Sequence, residues 1–129
     1  MKKFINCEFN ADLKNVIVSR GIIASFFMDE DVNINIINEV KTIVSEAVTN
    51  AIIHGYKNGE GIVGLNIDYD NKGVGIENIE EARTPLFSTG SSKERAGLGF
   101  TIMDIFSDKL EIFSKVNEGT KVAITKYIA

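Results

Sequence analysis

A chain of 129 residues is the length of one domain, and the scaling of folded against unfolded surface buries about two-thirds of its extended area, enough for a core without staples. Hydrophobic residues at 44% and charged residues at 25% exclude a disordered chain, while a net charge of −4 argues against a phosphate-backbone binder. One Cys and one His exclude a disulfide framework and a zinc site of the usual Cys and His ligands.

No apolar run approaches the ~20 residues of a membrane span, and the Met-Lys-Lys start lacks an apolar signal segment. The expectation is a cytoplasmic single domain over residues 1–129, with Cys7 a free thiol and neither a membrane nor a nucleic acid as partner. In chain order, Phe4–Phe9 alternates like a short edge strand. Asn10 or Asp12 then caps a helix to about Met28, whose apolar stripe is Leu13, Val16, Ile17, Ala24 and Phe27, with Arg20 in its middle. Val18, Ile22, Ile23 and Phe26 make the rest of that helix apolar too. Such a helix is either a core helix whose arginine reaches out to solvent or the cover of another chain.

A second helix, capped by Asp31 or Asn33, runs through Ile53 with Ile37, Val40, Val44, Ala47, Val48, Ala51 and Ile52 as its core stripe. A turn over residues 57–61 leads into a strand over Ile62–Tyr69. Gly73-Val74-Gly75 reads as a glycine turn before a short helix over residues 77–82. From Arg83 to Gly97 the chain is polar and glycine-punctuated, a length that suits a lid. Gly97-Leu98-Gly99-Phe100 opens a helix over Thr101–Phe106, and two strands, Leu110–Ser114 and Lys121–Tyr127, flank a turn at residues 117–119. Helices and paired strands segregated in this way predict an α+β two-layer sandwich, with an antiparallel or mixed sheet under a helical layer.

Glu46 and Asn50, four apart, project from one helix face one turn apart. A carboxylate and a carboxamide so placed suit a hydroxyl on one side and a hard cation such as Mg²⁺ on the other, although such a pair taken alone is more often a solvated helix face. The two glycine pairs would let backbone approach a phosphate, yet each singly is the ordinary glycine of a loop or cap. No P-loop occurs, and Lys93 and Arg95 read from composition as a solvated cluster.

The combination carries more than its parts. Residues 46–55 (Glu-Ala-Val-Thr-Asn-Ala-Ile-Ile-His-Gly), then Gly73-x-Gly75, a polar lid, Gly97-Leu98-Gly99-Phe100 and a closing Gly119-Thr120 resemble the GHKL superfamily (the Bergerat ATP-binding fold of DNA gyrase, histidine kinases and MutL) in their order. Residues 44–56, 80–87 and 99–103 further resemble the anti-sigma F family of endospore-forming bacteria, serine kinases of an anti-anti-sigma partner. The resemblance implies a general base at Glu46 and a Mg²⁺ ligand at Asn50, with ATP or ADP as the nucleotide. It implies an adenine pocket lined by Gly73, Gly75 and Thr120, while His54, inside the motif of residues 46–55, is structural or pocket-lining. Phosphate contacts fall to Gly97, Gly99 and the lid, where Thr89 lies and Arg95 reaches the γ-phosphate. Arg20 matches a surface used for the sigma factor and the anti-anti-sigma protein, and the first helix matches a homodimer interface.

The chain departs from the pattern at one place. Where the family has an Asp that accepts from the adenine amino group, the register puts Asn71, and about one strand's worth of residues is absent between Tyr69 and Gly73. Loss of a central strand would leave unpaired backbone on its neighbours, at ~1–3 kcal/mol for each buried group. The expected function is an ATP-dependent protein serine kinase that also sequesters a sigma factor. The alternative is a sigma-binding module that senses nucleotide without turnover.

Overall fold

A computed structural model describes residues 2–55, 61–80, 101–115 and 119–127. Five strands form one sheet: β1 (Lys3–Asn10), β2 (Ile62–Tyr69), β3 (Gly73–Glu80), β4 (Lys109–Lys115) and β5 (Gly119–Tyr127), in the order β1-β2-β3-β5-β4. Every pairing is antiparallel, the first of the two senses expected, and no parallel pair among the described strands makes the sheet mixed. The links over residues 70–72 and 116–118 are too short for a parallel crossover, so they fix the sense of both hairpins.

Two long helices cover one face, α1 (Lys14–Phe26) and α2 (Ile34–Asn50), and α2 runs on into a π-type turn at Ala51–Gly55. A short helix, α3, spans residues 101–106. The core lies between the layers, with Val63, Leu65, Ile67, Val74, Ile76, Val122 and Ile124 from the sheet meeting Val40, Ile43, Val44, Ala47 and Val48 of α2. Each such large aliphatic side chain contributes about 1.5–3 kcal/mol by leaving water.

The second helix follows its sequence closely. Asn33 caps it, its side chain accepting from the Asn35 N–H at 2.8 Å, and the expected stripe is the buried one apart from the half-buried Ile37, with Ile43 added to it. The first helix does not. Its buried face is Ser19, Ile23 and Phe26, with Phe27 just beyond its end, while Leu13 and Ile17 of the expected stripe are exposed, Ile17 at 75%. A helix apolar on several sides offers no single periodicity, and contact with α2 and β1 decides which side is buried. Neither expected cap residue occupies the N-cap position of α1; Asp12 instead accepts from the Lys14 N–H at 2.9 Å. Phe27 then locks the helix end to the sheet through edge-to-face rings with Phe26 and Tyr69, 5.0 and 5.6 Å away.

The segment over residues 73–80 departs most from expectation. It is neither a glycine turn nor a short helix but the central strand, paired on one side with β2 and on the other with β5. The hairpin turn sits earlier, where the Asp70 carboxylate accepts from the N–H groups of Lys72 (2.8 Å) and Gly73 (3.3 Å). Those two bonds hold the Asp70 carboxyl below its usual range, with burial opposing them and Lys72 charge aiding. The backbone vacancy anticipated from the short link is therefore filled by the glycine segment itself.

Candidate functional site

Four polar residues are fully buried among the described residues: Ser19, Asn50, Asn78 and Thr120. Ser19 is satisfied within its own helix, its hydroxyl donating to the Val16 carbonyl at 2.6 Å. The other three gather at one seam, where the end of α2 and the π-type turn that continues it meet β3 and β5. Asn78 donates its Nδ2 to the Ala47 carbonyl of α2 at 3.1 Å. Asn50 lies three residues beyond Ala47, close to one helical turn, with its side chain leaning back toward that turn. Thr120 on β5 is two residues from Val122, the register partner of Asn78, and the two side chains share the helix-facing side of the sheet. That diagonal spacing is about 7–8 Å.

The seam is incompletely satisfied. Asn50 is 3% exposed and its Nδ2 has no partner; Asn78 is 2% exposed and its Oδ1 has none. A buried amide atom left alone costs about 1–3 kcal/mol, so two at one seam are a stability cost that a bound group would relieve. Glu46, one turn before Asn50, is half-buried, and its carboxylate makes no ion pair or hydrogen bond with any described residue. Glu46 and Asn50 are thus brought together as their spacing predicts.

The donor set suits Mg²⁺. Coordination through the Asn50 Oδ1 leaves Nδ2 to a second acceptor, and that Nδ2 is the orphaned atom. Among the described residues no three His, Cys, Asp or Glu side chains cluster as metal ligands. One carboxamide beside one carboxylate is the sparse set that Mg²⁺ takes when phosphates and waters complete its shell.

Other expected site residues fall elsewhere. Asn71 is exposed on the β2–β3 turn, and Gly73 begins β3, about 17 Å along the strand from Asn78. Gly75 faces the side of the sheet away from α2, where a Cβ would stand 2.7 Å from the Asp68 Oδ1. The structure therefore takes Asn71, Gly73 and Gly75 away from the seam, because the segment that carries them is needed as a strand. Thr120 is brought to it. His54 lies in the π-type turn that continues α2, and Thr89, Arg95, Gly97 and Gly99 lie outside the described residues. Arg20 is exposed on α1, and its Nη1 donates to the Ser45 hydroxyl of α2 at 2.8 Å, next to Glu46. Asn78 was missed by sequence reasoning. Its signal was present: Val74, Ile76 and Asn78 alternate on one strand face, so an amide follows two apolar core positions.

The family described as "Histidine kinase-like ATPase domain" matches residues 9–126. The anti-sigma F factor of Anoxybacillus flavithermus is 44% identical over 138 aligned positions, covering 99% of this chain and 94% of that protein. The chain belongs to the anti-sigma F factor family. The factor of Bacillus cytotoxicus is 43% identical over 139 positions, with 100% of this chain and 95% of that one covered. An alignment of 139 positions over 129 residues leaves at least ten that only the relative fills. Among solved structures, the RsbU and RsbW domains of a Mycobacterium tuberculosis protein match at a TM-score of 0.71 and 16% identity, over 96% of this chain and 32% of that one. The histidine kinase domain of a blue-light activated histidine kinase from Erythrobacter litoralis matches at 0.55 and 12% identity, over 93% and 62%. These two likenesses bear on the fold, a kinase-like ATPase sandwich. No described helix is long and apolar enough to cross a membrane.

Proposed function

We propose that this family member is a cytoplasmic, ATP-dependent protein serine kinase that binds a sigma factor of the sigma F type and phosphorylates the anti-anti-sigma antagonist of that complex. The observation that carries this reading is the pairing of a half-buried Glu46, without a partner among the described residues, with a buried Asn50 one helical turn away whose Nδ2 has no partner. It stands in a chain 44% identical to an anti-sigma F factor.

The chemistry supplied by a bound magnesium–ATP complex is a transferable phosphoryl group with part of its charge neutralised. Asn50 would hold the metal through Oδ1. Glu46 would orient the incoming serine hydroxyl and take its proton as the new O–P bond forms and the bond to the leaving diphosphate breaks. Arg95 and the backbone N–H groups after Gly97 would bear on the γ-phosphate charge, and Thr89 and His54 would border the nucleotide. Arg20, held across α1 and α2 by Ser45, would present its remaining donors to the protein partners. The exposed apolar strip of Phe4, Leu13, Ile17 and Val18 along β1 and α1 suits a homodimer interface.

One observation favours the alternative, a sigma-binding module that senses nucleotide without turnover: the segment expected to line the adenine pocket is built into the sheet. Incubation with labelled ATP, Mg²⁺ and the anti-anti-sigma protein separates the two. Label on a serine of the partner is expected. Nucleotide binding without transfer would establish the sensing module instead.

A further inference from the structure

The two orphaned amide atoms at the seam are complementary, one a donor and the other an acceptor. Asn78 has its orientation fixed: Nδ2 donates to the Ala47 carbonyl at 3.1 Å, and a flipped amide would set oxygen against oxygen. Its free atom is therefore an acceptor, Oδ1. The same carbonyl accepts from the backbone N–H of Ala51, where the π-type turn opens, so one oxygen of α2 fastens both the helix end and β3. Asn50 stands three residues past Ala47, a spacing at which helix side chains are neighbours. Its enclosed atom is the donor, Nδ2.

A carboxamide that binds a hard cation must present its oxygen and turn its N–H groups away. Rotation about the last side-chain bond exchanges the two ends, so the amide needs a neighbour that chooses between them. A buried acceptor behind the nitrogen makes that choice, and a buried donor there would reverse it. Resting on the magnesium-nucleotide reading above, we propose that Asn78 is a positioning residue for Asn50, its Oδ1 accepting from the Asn50 Nδ2 while the Asn50 Oδ1 faces the metal. The bond to Ala47 suits Asn78 to this task, because it holds the acceptor still and in the correct sense. Neither free atom has a partner in this structure, so the bond forms as the metal binds and satisfies both buried atoms together. The central strand thereby takes part in the metal site without touching the metal, through the one described side-chain bond that runs from β3 to α2.

The test is calorimetric titration of the full chain with ADP, in Mg²⁺ and in EDTA, for wild type and Asn78→Leu. The ratio of the two affinities isolates the metal's contribution, because a loss of folded protein is common to both. Mg²⁺ should tighten ADP binding in wild type, and in Asn78→Leu that increment should fall by about tenfold or vanish, as on removal of a residue that orients a metal ligand. An increment unchanged in Asn78→Leu overturns the assignment and leaves the magnesium reading standing. No increment in wild type overturns the magnesium reading, and the assignment with it. Wild type gives a second readout that does not depend on how the variant folds. With saturating Mg²⁺ and ADP, a nuclear Overhauser contact is expected between the side-chain amide protons of Asn50 and those of Asn78. Its absence overturns the proposal.

Discussion

The helix α2 and the strand β3 meet at the same seam, yet one followed its own sequence and the other did not. Over 17 residues α2 repeats its apolar positions nearly five times, carries its own Asn33 cap and keeps Gly outside its body. Local preference and tertiary demand agree there. The eight residues of β3 contain two glycines and two acidic residues, a composition that favours a turn. They are a strand because β2 and β5 each need a partner, and an unpaired central ladder costs more than the poor propensity of Gly and Asn. A long amphipathic element can be read alone, whereas a short one is decided by its neighbours.

The largest effect expected from this contrast is on chemistry. Glu46→Gln should lower phosphoryl transfer by roughly 10²–10⁴-fold, as for loss of a general base, while nucleotide affinity holds. Equal loss of binding would instead make Glu46 a ligand contact. Next is a stability effect that separates strand from turn. Gly73 sits where a Cβ would collide with the Lys126 carbonyl oxygen of β5, so Gly73→Ala should cost on the order of 1–3 kcal/mol in denaturant titration. At Gly75 the obstacle is the flexible Asp68 side chain, so Gly75→Ala should cost less, and Asp68→Ala should relieve it. If both glycines were turn residues contacting nucleotide, affinity rather than stability would respond.

Smaller again is the cap of α2: Asn33→Ala should cost about 1 kcal/mol in thermal or chemical unfolding. The weakest effect is on the hairpin turn. The Asp70 carboxyl is lowered in the folded chain, chiefly by the Lys72 N–H, so its contribution is present above the unfolded-state range and disappears as pH falls through the folded value. Unfolding compared between wild type and Asp70→Ala should show a small difference at neutral pH that fades in acid.

Part of the candidate site's geometry was legible for the same reason that α2 was. Glu46 and Asn50 sit on a helix whose register is beyond dispute, so their spacing alone places them together. Thr120 came from the resemblance, one residue before the expected strand over Lys121–Tyr127, and joins the seam because β5 begins earlier, at Gly119. The residues that fall away from the seam, Asn71, Gly73 and Gly75, belong to the segment whose state depends on pairing partners far away in sequence. Asn78 escaped notice because a polar residue marks a strand's inner face only after the segment is known to be a strand. The exposed side of α1 was illegible for another reason: with Leu13, Val16, Ile17, Val18, Ile22 and Ile23 spread around it, periodicity cannot choose the buried face.

The central claim is that the end of α2 holds a magnesium-bound nucleotide through Asn50. Titration of the full chain with ADP, with and without Mg²⁺, for wild type and Asn50→Ala, tests it most directly. Wild type should bind more tightly with Mg²⁺, and Asn50→Ala should lose that increment. Binding by wild type that ignores the metal, or an increment unchanged in Asn50→Ala, would contradict it.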